Sequence, residues 1–417
     1  MGNTSKKTIA SNVLWNTCGS LYYLFAQWIL SVLVVRMAGG YSDAGILSLA
    51  MSLSNVFAIM ALFNVRNFQA SDSEGQYSSS QYVFHRVVTC FGALCACAIF
   101  VLVNNYNLVT SLAIIAYMLV KLVESFADVL HGIAQKGWRL DIAGKSFFAR
   151  GTLLLASFCL TYYFSGNLVL AIFAMAFTTL AALLLIDVNL VRRVDRFHLK
   201  ADFKAVKSLT LKCLPFVCYG VALNLIMPFA RYMIELKHGE EKLGYYASIS
   251  TIVVLIQAFI TLVFTPLIGI FEDAHIKRDY KKIAGLFVKF LILLSGITLL
   301  AILASTVAGE FFMSLIFGEE IRDYVYLLYP NVIASALISL AWFMGMILVV
   351  IRDSKTLLIS SLCGAVLGII ISVIVIPNDA YFGANLATIV ALALISVVYI
   401  IRFITYIISV KQQENHK

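Results

Sequence analysis

Three ionisable residues recur on one face of an apolar stretch: Lys121, Glu124 and Asp128, at i, i+3 and i+7 within the run 110–130. At about 100° per helical residue they fall within roughly a 60° arc. An ionisable group at the centre of a membrane-spanning helix costs on the order of 3 kcal/mol on insertion scales, so it faces a partner or a watery cavity. Arg150, a turn into the next apolar run, stands at the depth of Asp128 and offers an ion-pair partner across the hairpin. Two readings of this stripe are open. It is the polar wall of a central cavity, or it is an internally neutralised cluster that locks two helices together. Arg231 and Glu235 form an i, i+4 pair at the outer end of a later run, and Arg36 ends the first. Arginines at a membrane interface can snorkel as simple anchors. Equally, their guanidinium groups would attract an anionic headgroup such as a diphosphate.

Other chemistries lack their residues. The six histidines are scattered, with no His-x-x-x-His and no paired-acid spacing, and no glycine loop could cradle a phosphate. The eight cysteines all lie in apolar stretches and read as small hydrophobes, without zinc-ligand spacing. No catalytic residue, metal or cofactor is expected. The outer segments, roughly 308–325 and 236–244, are short for a catalytic loop.

The elements that must hold these charges follow from composition. Of 417 residues, 61% are hydrophobic and 13% charged, against about 25% charged in a soluble globular chain. A soluble enzyme is excluded. Apolar runs of about 20 residues predict twelve spans, near 14–36, 44–63, 83–103, 110–130, 146–165, 168–190, 213–235, 245–270, 283–307, 326–351, 356–376 and 384–408. The N-terminal run is too long for a signal-peptide core and reads as an uncleaved first span. The net charge of +9 is a topology signal and not a nucleic-acid patch. With the N-terminus inside, 22 of the 31 Lys and Arg fall in inner segments and 4 in outer ones, which puts both termini in the cytoplasm.

The spans divide six and six: a first lobe over 1–190, a basic linker over 191–212 on the inner leaflet, and a second lobe over 213–417. The linker's seven positives suit anionic membrane lipids. Sliding the first half by 199 residues superposes several spans on the second, which is the build of a secondary transporter. All five prolines lie in the second half. Pro228 and Pro266 sit inside spans 7 and 8, where a missing N–H and a ring clash bend a helix, so both are candidate hinges.

With this architecture the chain resembles the bacterial polysaccharide-exporter flippases of the multidrug/oligosaccharidyl-lipid/polysaccharide (MOP) superfamily, along its whole length. The resemblance rests on "VRMAGGYSDAGILSLA" (35–50), "NVRNFQASD" (64–72) and "ESFADVLHGIAQKGWRLDIAGKS" (124–146). In the second half "KLGYYASIS" (242–250) and "LIFGEE" (315–320) contribute. It departs at Met37-Ala38-Gly39, where the family more often has a bulky residue, Leu and Gly. The resemblance implies a two-lobed, all-α, alternating-access carrier in the bacterial cytoplasmic membrane. Its substrate would be an undecaprenyl-diphosphate-linked O-antigen or capsule repeat unit, with the lipid tail left in the bilayer. Polysaccharide polymerase and chain-length machinery would be its neighbours. It places Arg66 at the inner mouth of a cationic cavity, with Lys121, Glu124, Asp128 and Arg150 lining or bracing the first lobe. Coupling to a proton or sodium gradient would then fall first to Glu124. Two other readings stand beside this one. A drug/cation antiporter would need a more acidic cavity, and a membrane polymerase or acyltransferase would need an outer catalytic loop.

Overall fold

A computed structural model describes residues 6–72, 75–198, 202–277 and 279–415, with side chains left undescribed at both ends and at scattered positions over 253–280. Among the described residues the fold is all-helical. Eleven helices are long and apolar enough to cross a membrane, and Glu240–Ile276 occupies the place of the expected eighth span. This is a polytopic membrane architecture. The chain divides into two compact units, Met1–Val221 and Ala222–Lys417.

In the first unit the helices are α1 (Lys6–Ala38), α2 (Ser42–Leu62), α3 (Val65–Ser71), α4 (Ser79–Asn104), α5 (Leu108–Lys136), α6 (Leu140–Ser165), α7 (Leu168–Ala182) and α8 (Val188–Val191). Helix α1 crosses α6 in backbone contact. A Cβ on Gly144 would lie 2.2 Å from the Trp15 carbonyl oxygen, and one on Gly19 would lie 2.3 Å from that of Gly144. Small residues allow such approach where lipid offers helices no hydrophobic drive to associate. Val65, Val83, Leu130, Ile133, Leu183 and Val191 form one buried cluster, into which Leu209 and Cys213 also pack.

Two local departures from regular helix matter. Span 2 breaks at Phe63 and Asn64, both left-handed (φ 49° and 53°). The motif at 64–72, expected after the span, resumes as α3. Span 6 passes through a π turn, Leu183–Asp187, between α7 and α8.

In the second unit the helices continue as α9 (Phe203–His238, which begins in the first unit), α10 (Glu240–Ile276), α11 (Tyr280–Phe317), α12 (Leu328–Val350), α13 (Ser354–Val375) and α14 (Ala380–Asn415). Two segments expected outside the spans are helical. Residues 203–212, placed in the linker, belong to α9; Asp202 starts the helix by accepting the Ala205 N–H (3.0 Å), and Lys, Ala and Leu carry it on. The outer segment at 308–325 is also helical: α11 continues to Phe317, and a 3₁₀ stretch covers Glu319–Leu327. The helix α9 runs on through Pro228. Pro266 lies within α10, its side chain outside the described residues. The unit's core closes on α12, with the Phe290 and Phe343 rings stacked at 3.7 Å between centroids.

Candidate functional site

Helix α5 is the spine of the first unit's polar interior. Its charged stripe forms as the spacing predicts, but each residue is held by a different set of neighbours. Lys121 is buried and its Nζ pairs with Glu124 Oε2 at 2.9 Å. The Glu124 Oε1 atom accepts a short hydrogen bond from the Tyr23 hydroxyl on α1 and a long one (3.4 Å) from Gln27 Nε2. Lys121 also lies over the Tyr117 ring at 5.6 Å. Glu124 keeps 20% of its side chain exposed.

One turn further along α5, Asp128 serves two arginines. Arg66 on α3 reaches Oδ1 at 3.3 Å and Arg86 on α4 reaches Oδ2 at 2.9 Å. Arg66 also donates through Nε to Gln135 Oε1 (3.2 Å). Arg86 is fully buried and donates to the Ala61 carbonyl at 2.7 Å, where Thr89 bonds too. That carbonyl belongs to the last turn of α2, just before the Phe63–Asn64 break, and has no helical partner of its own. Sequence, charge and break are thus one device: Arg86 caps the end of α2 while neutralising α5.

Arg150 does not pair with Asp128. It is buried, bonds Ser146 Oγ at 3.1 Å, and packs its guanidinium against Phe147 (5.2 Å) and Tyr23 (5.6 Å). Asp128 is neutralised by Arg66 and Arg86 instead. Arg36 is exposed in the last turn of α1, far along that helix from Tyr23. In the second unit Glu235 is half-buried, its Oε2 without a hydrogen-bond partner; among the described residues it makes no ion pair with Arg231, one turn earlier on α9.

Several residues of this interior are not legible in the sequence. Tyr23 and Gln27 give no signal there. Arg86 reads as an inner-segment positive, yet it is seven residues into α4 and wholly buried. His131 and Asp187 pair at 3.0 Å in the core, and Asp187, set inside the apolar "LLLIDVNLV" (183–191), was the available signal. Outside the spans, Asp72 organises the turn after α3. Burial pushes its carboxyl up, but the Gln76 and Tyr77 amides, the Tyr82 hydroxyl and Lys136 outweigh that and hold it below its usual range. Among the described residues, no three His, Cys, Asp or Glu side chains gather as a metal site.

No family model matches the chain. A capsular polysaccharide biosynthesis protein, CapF of Staphylococcus aureus, is 24% identical over 310 residues, covering 72% of this chain and 76% of that protein. Among solved structures, the lipid II flippase MurJ in an inward closed conformation superposes with a TM-score of 0.68 at 10% identity, covering 92% of this chain and 87% of that one. A multidrug resistance transporter of the MATE family and MOP superfamily, in its inward-facing conformation, gives 0.63 at 14% identity over 96% of both chains. A MOP transporter of Pyrococcus furiosus gives 0.61 at 15% identity over 94% and 95%. The chain has the fold of the MOP transporters.

Proposed function

We propose that this chain, on a fold shared by MATE transporters and a lipid II flippase, is a flippase for lipid-linked oligosaccharides. It would carry undecaprenyl-diphosphate-linked repeat units of a capsule, O-antigen or related polysaccharide from the inner to the outer leaflet of a bacterial cytoplasmic membrane. Both termini would lie in the cytoplasm, as the positive-inside charge distribution favours. The observation that carries this reading is the likeness to a capsular polysaccharide biosynthesis protein in a chain of transporter fold.

The polar interior of the first unit suits the cargo. Arg66 is a quarter exposed (24%) and shares its carboxylate with Arg86, so an incoming diphosphate could take the Arg66 guanidinium while Asp128 stays neutralised by Arg86. Lys121, paired with Glu124, and Arg150 are proposed to line the path along α5 and α6; Arg36 and Arg231 are proposed to meet the headgroup at other stages. Pro228 and Pro266 are the proposed hinges. A proton or sodium gradient would drive the cycle, and Glu124 is the stripe's candidate for exchanging the ion. A polymerase and chain-length machinery would receive the product.

Deletion of the gene in its native host tests the function. The expected result is loss of surface polysaccharide with accumulation of lipid-linked repeat units. Normal polysaccharide without accumulation, in a host with no second flippase, overturns it. Lys121→Ala tests the stripe separately: full transport by a normally expressed variant would leave Lys121 a brace and not a wall of the path.

A further inference from the structure

Among the described residues, the His131–Asp187 pair is the most deeply buried ionisable pair in the first unit, and neither Lys121 nor Arg66 touches it. Both side chains are essentially without solvent exposure, 1% and 0%. The His131 Nε2 lies 3.0 Å from Asp187 Oδ1, and the Phe147 ring meets the imidazole edge-on at 5.3 Å. The other carboxylate oxygen, Oδ2, is buried without a hydrogen bond.

The backbone is bent to make this contact. A π turn over Leu183–Asp187 inserts about one residue into the helix, rotating the residues beyond it by roughly 100°. Asp187, the last residue of that turn, is fully buried and meets His131 instead of continuing the register of α7. An apolar pair of similar volume would hold α5 and α7 together at least as well. Retaining an acid and an imidazole there, at the cost of a regular helix, points to a use for their protons.

We infer that His131 and Asp187 form a proton-binding site that binds one proton as a unit while α5 and the π turn are together, and exchanges it with water when they part. When deprotonated, the neutral imidazole donates Nε2–H to the carboxylate. When protonated, the added proton sits on the second imidazole nitrogen or on Oδ2, and no other bond changes. Histidine is the side chain whose ordinary titration falls between about pH 5 and 8. The charged groups facing the pair are Arg150 on α6 and Arg66 on α3. Asp128, one turn before His131 on α5, is already engaged by Arg66 and Arg86 of α4, and α7 and α8 bring no further ionisable side chain. One carboxylate and one nitrogen suit a proton better than a hard cation, which takes a set of oxygen ligands. Glu124 differs in kind, since Lys121 neutralises it in place. The transport consequence, that this pair carries the coupling proton, rests on the flippase reading.

Two measurements test the site. The full chain, labelled with ¹⁵N at histidine and held in lipid nanodiscs, is titrated from about pH 5 to 8, with His131→Gln identifying the signal. The expected result is a one-proton titration of His131 whose midpoint falls by at least about one pH unit in Asp187→Asn, because the carboxylate that favours imidazolium is gone. A His131 held in one protonation state throughout overturns the inference. In proteoliposomes carrying lipid-linked repeat units extracted from the deletion strain, an imposed proton gradient should stimulate the wild type, and both variants should lose that stimulation at least tenfold. Variants that melt earlier yet keep the full stimulation would make the pair a structural brace and overturn the coupling role. Should the wild type move no lipid, the flippase reading falls, while the titration still decides the proton site.

Discussion

In Met1–Val221 the buried polar groups bind across helices: Asp128 ties α5 to α3 and α4, Glu124 ties it to α1, and His131 ties it to the π turn. In Ala222–Lys417 most of the corresponding groups are hydroxyls and amides that turn back on their own helices. Ser248, Ser250, Asn331, Ser339 and Thr388 each bond the carbonyl four residues earlier. Among the described residues of this unit, each ion pair has at least one largely exposed partner: Arg322 with Glu310 and Glu319, and Arg402 with Asp353. The first unit is therefore a charge-locked block. Helices of the second are joined by fewer buried charges, because most of their buried hydroxyls and amides are satisfied within their own helix.

The largest expected effect lies at the centre of the lock. Arg86→Ala strips a buried partner from Asp128 and uncaps the Ala61 carbonyl, and should cost about 3–5 kcal/mol, read as thermal unfolding in detergent. Adding Asp128→Ala should cost less than the sum of the single changes, because the two residues share one interaction. Additivity would break the comparison by showing that the pair does not act as a unit. A smaller effect is expected at helix crossings. Gly144→Ala drives a Cβ against the Trp15 backbone and should destabilise by about 1–3 kcal/mol. In the second unit Gly364→Ala meets chiefly the Ile395 side chain, at 2.4 Å, and should cost about 1 kcal/mol because a side chain yields where a backbone cannot. Equal costs would argue that the second unit is packed as rigidly as the first.

How much of the molecule is legible in the sequence depends on what each signal averages over. The spans and the all-α architecture rest on twenty residues apiece, so single errors cancel. The stripe of Lys121, Glu124 and Asp128 is legible because helical spacing fixes which residues share a face. Their partners are not, because nothing in 110–130 says which neighbouring helix lies against that face. Arg150 was a reasonable partner for Asp128 by depth, yet Arg66 and Arg86 hold it because span 2 breaks at Phe63–Asn64 and carries α3 back across α5. Neither residue is a glycine or proline, so the break has no local signature. The π turn hides Asp187 similarly, since a regular helix would have rotated it elsewhere.

At the membrane's edge the first unit offers a test by pH. The Asp72 carboxyl titrates lower in the folded protein than in the unfolded chain. Its stabilisation is then complete above the ordinary carboxylate value of about 4 and is lost as pH falls through the lower folded value. Protection factors of the Gln76 and Tyr77 amides, measured by hydrogen exchange, should hold at neutral pH and collapse in acid, and Asp72→Asn should flatten that dependence. Protection unchanged by acid would show that the turn is held by packing alone.

The smallest expected effect probes a bond in the second unit between two buried side chains on different helices, from the Tyr246 hydroxyl on α10 to Asn385 Oδ1 on α14 (3.1 Å). Neutral interhelical bonds of this kind contribute about 0.6–2 kcal/mol, because a loosened helix finds other partners. Asn385→Ala should therefore lower stability by about 1 kcal/mol, well short of Arg86→Ala in the first unit. A loss as large as that of Arg86→Ala would mean that a single uncharged bond locks α10 to α14. The second unit would then be as tightly clamped as the first.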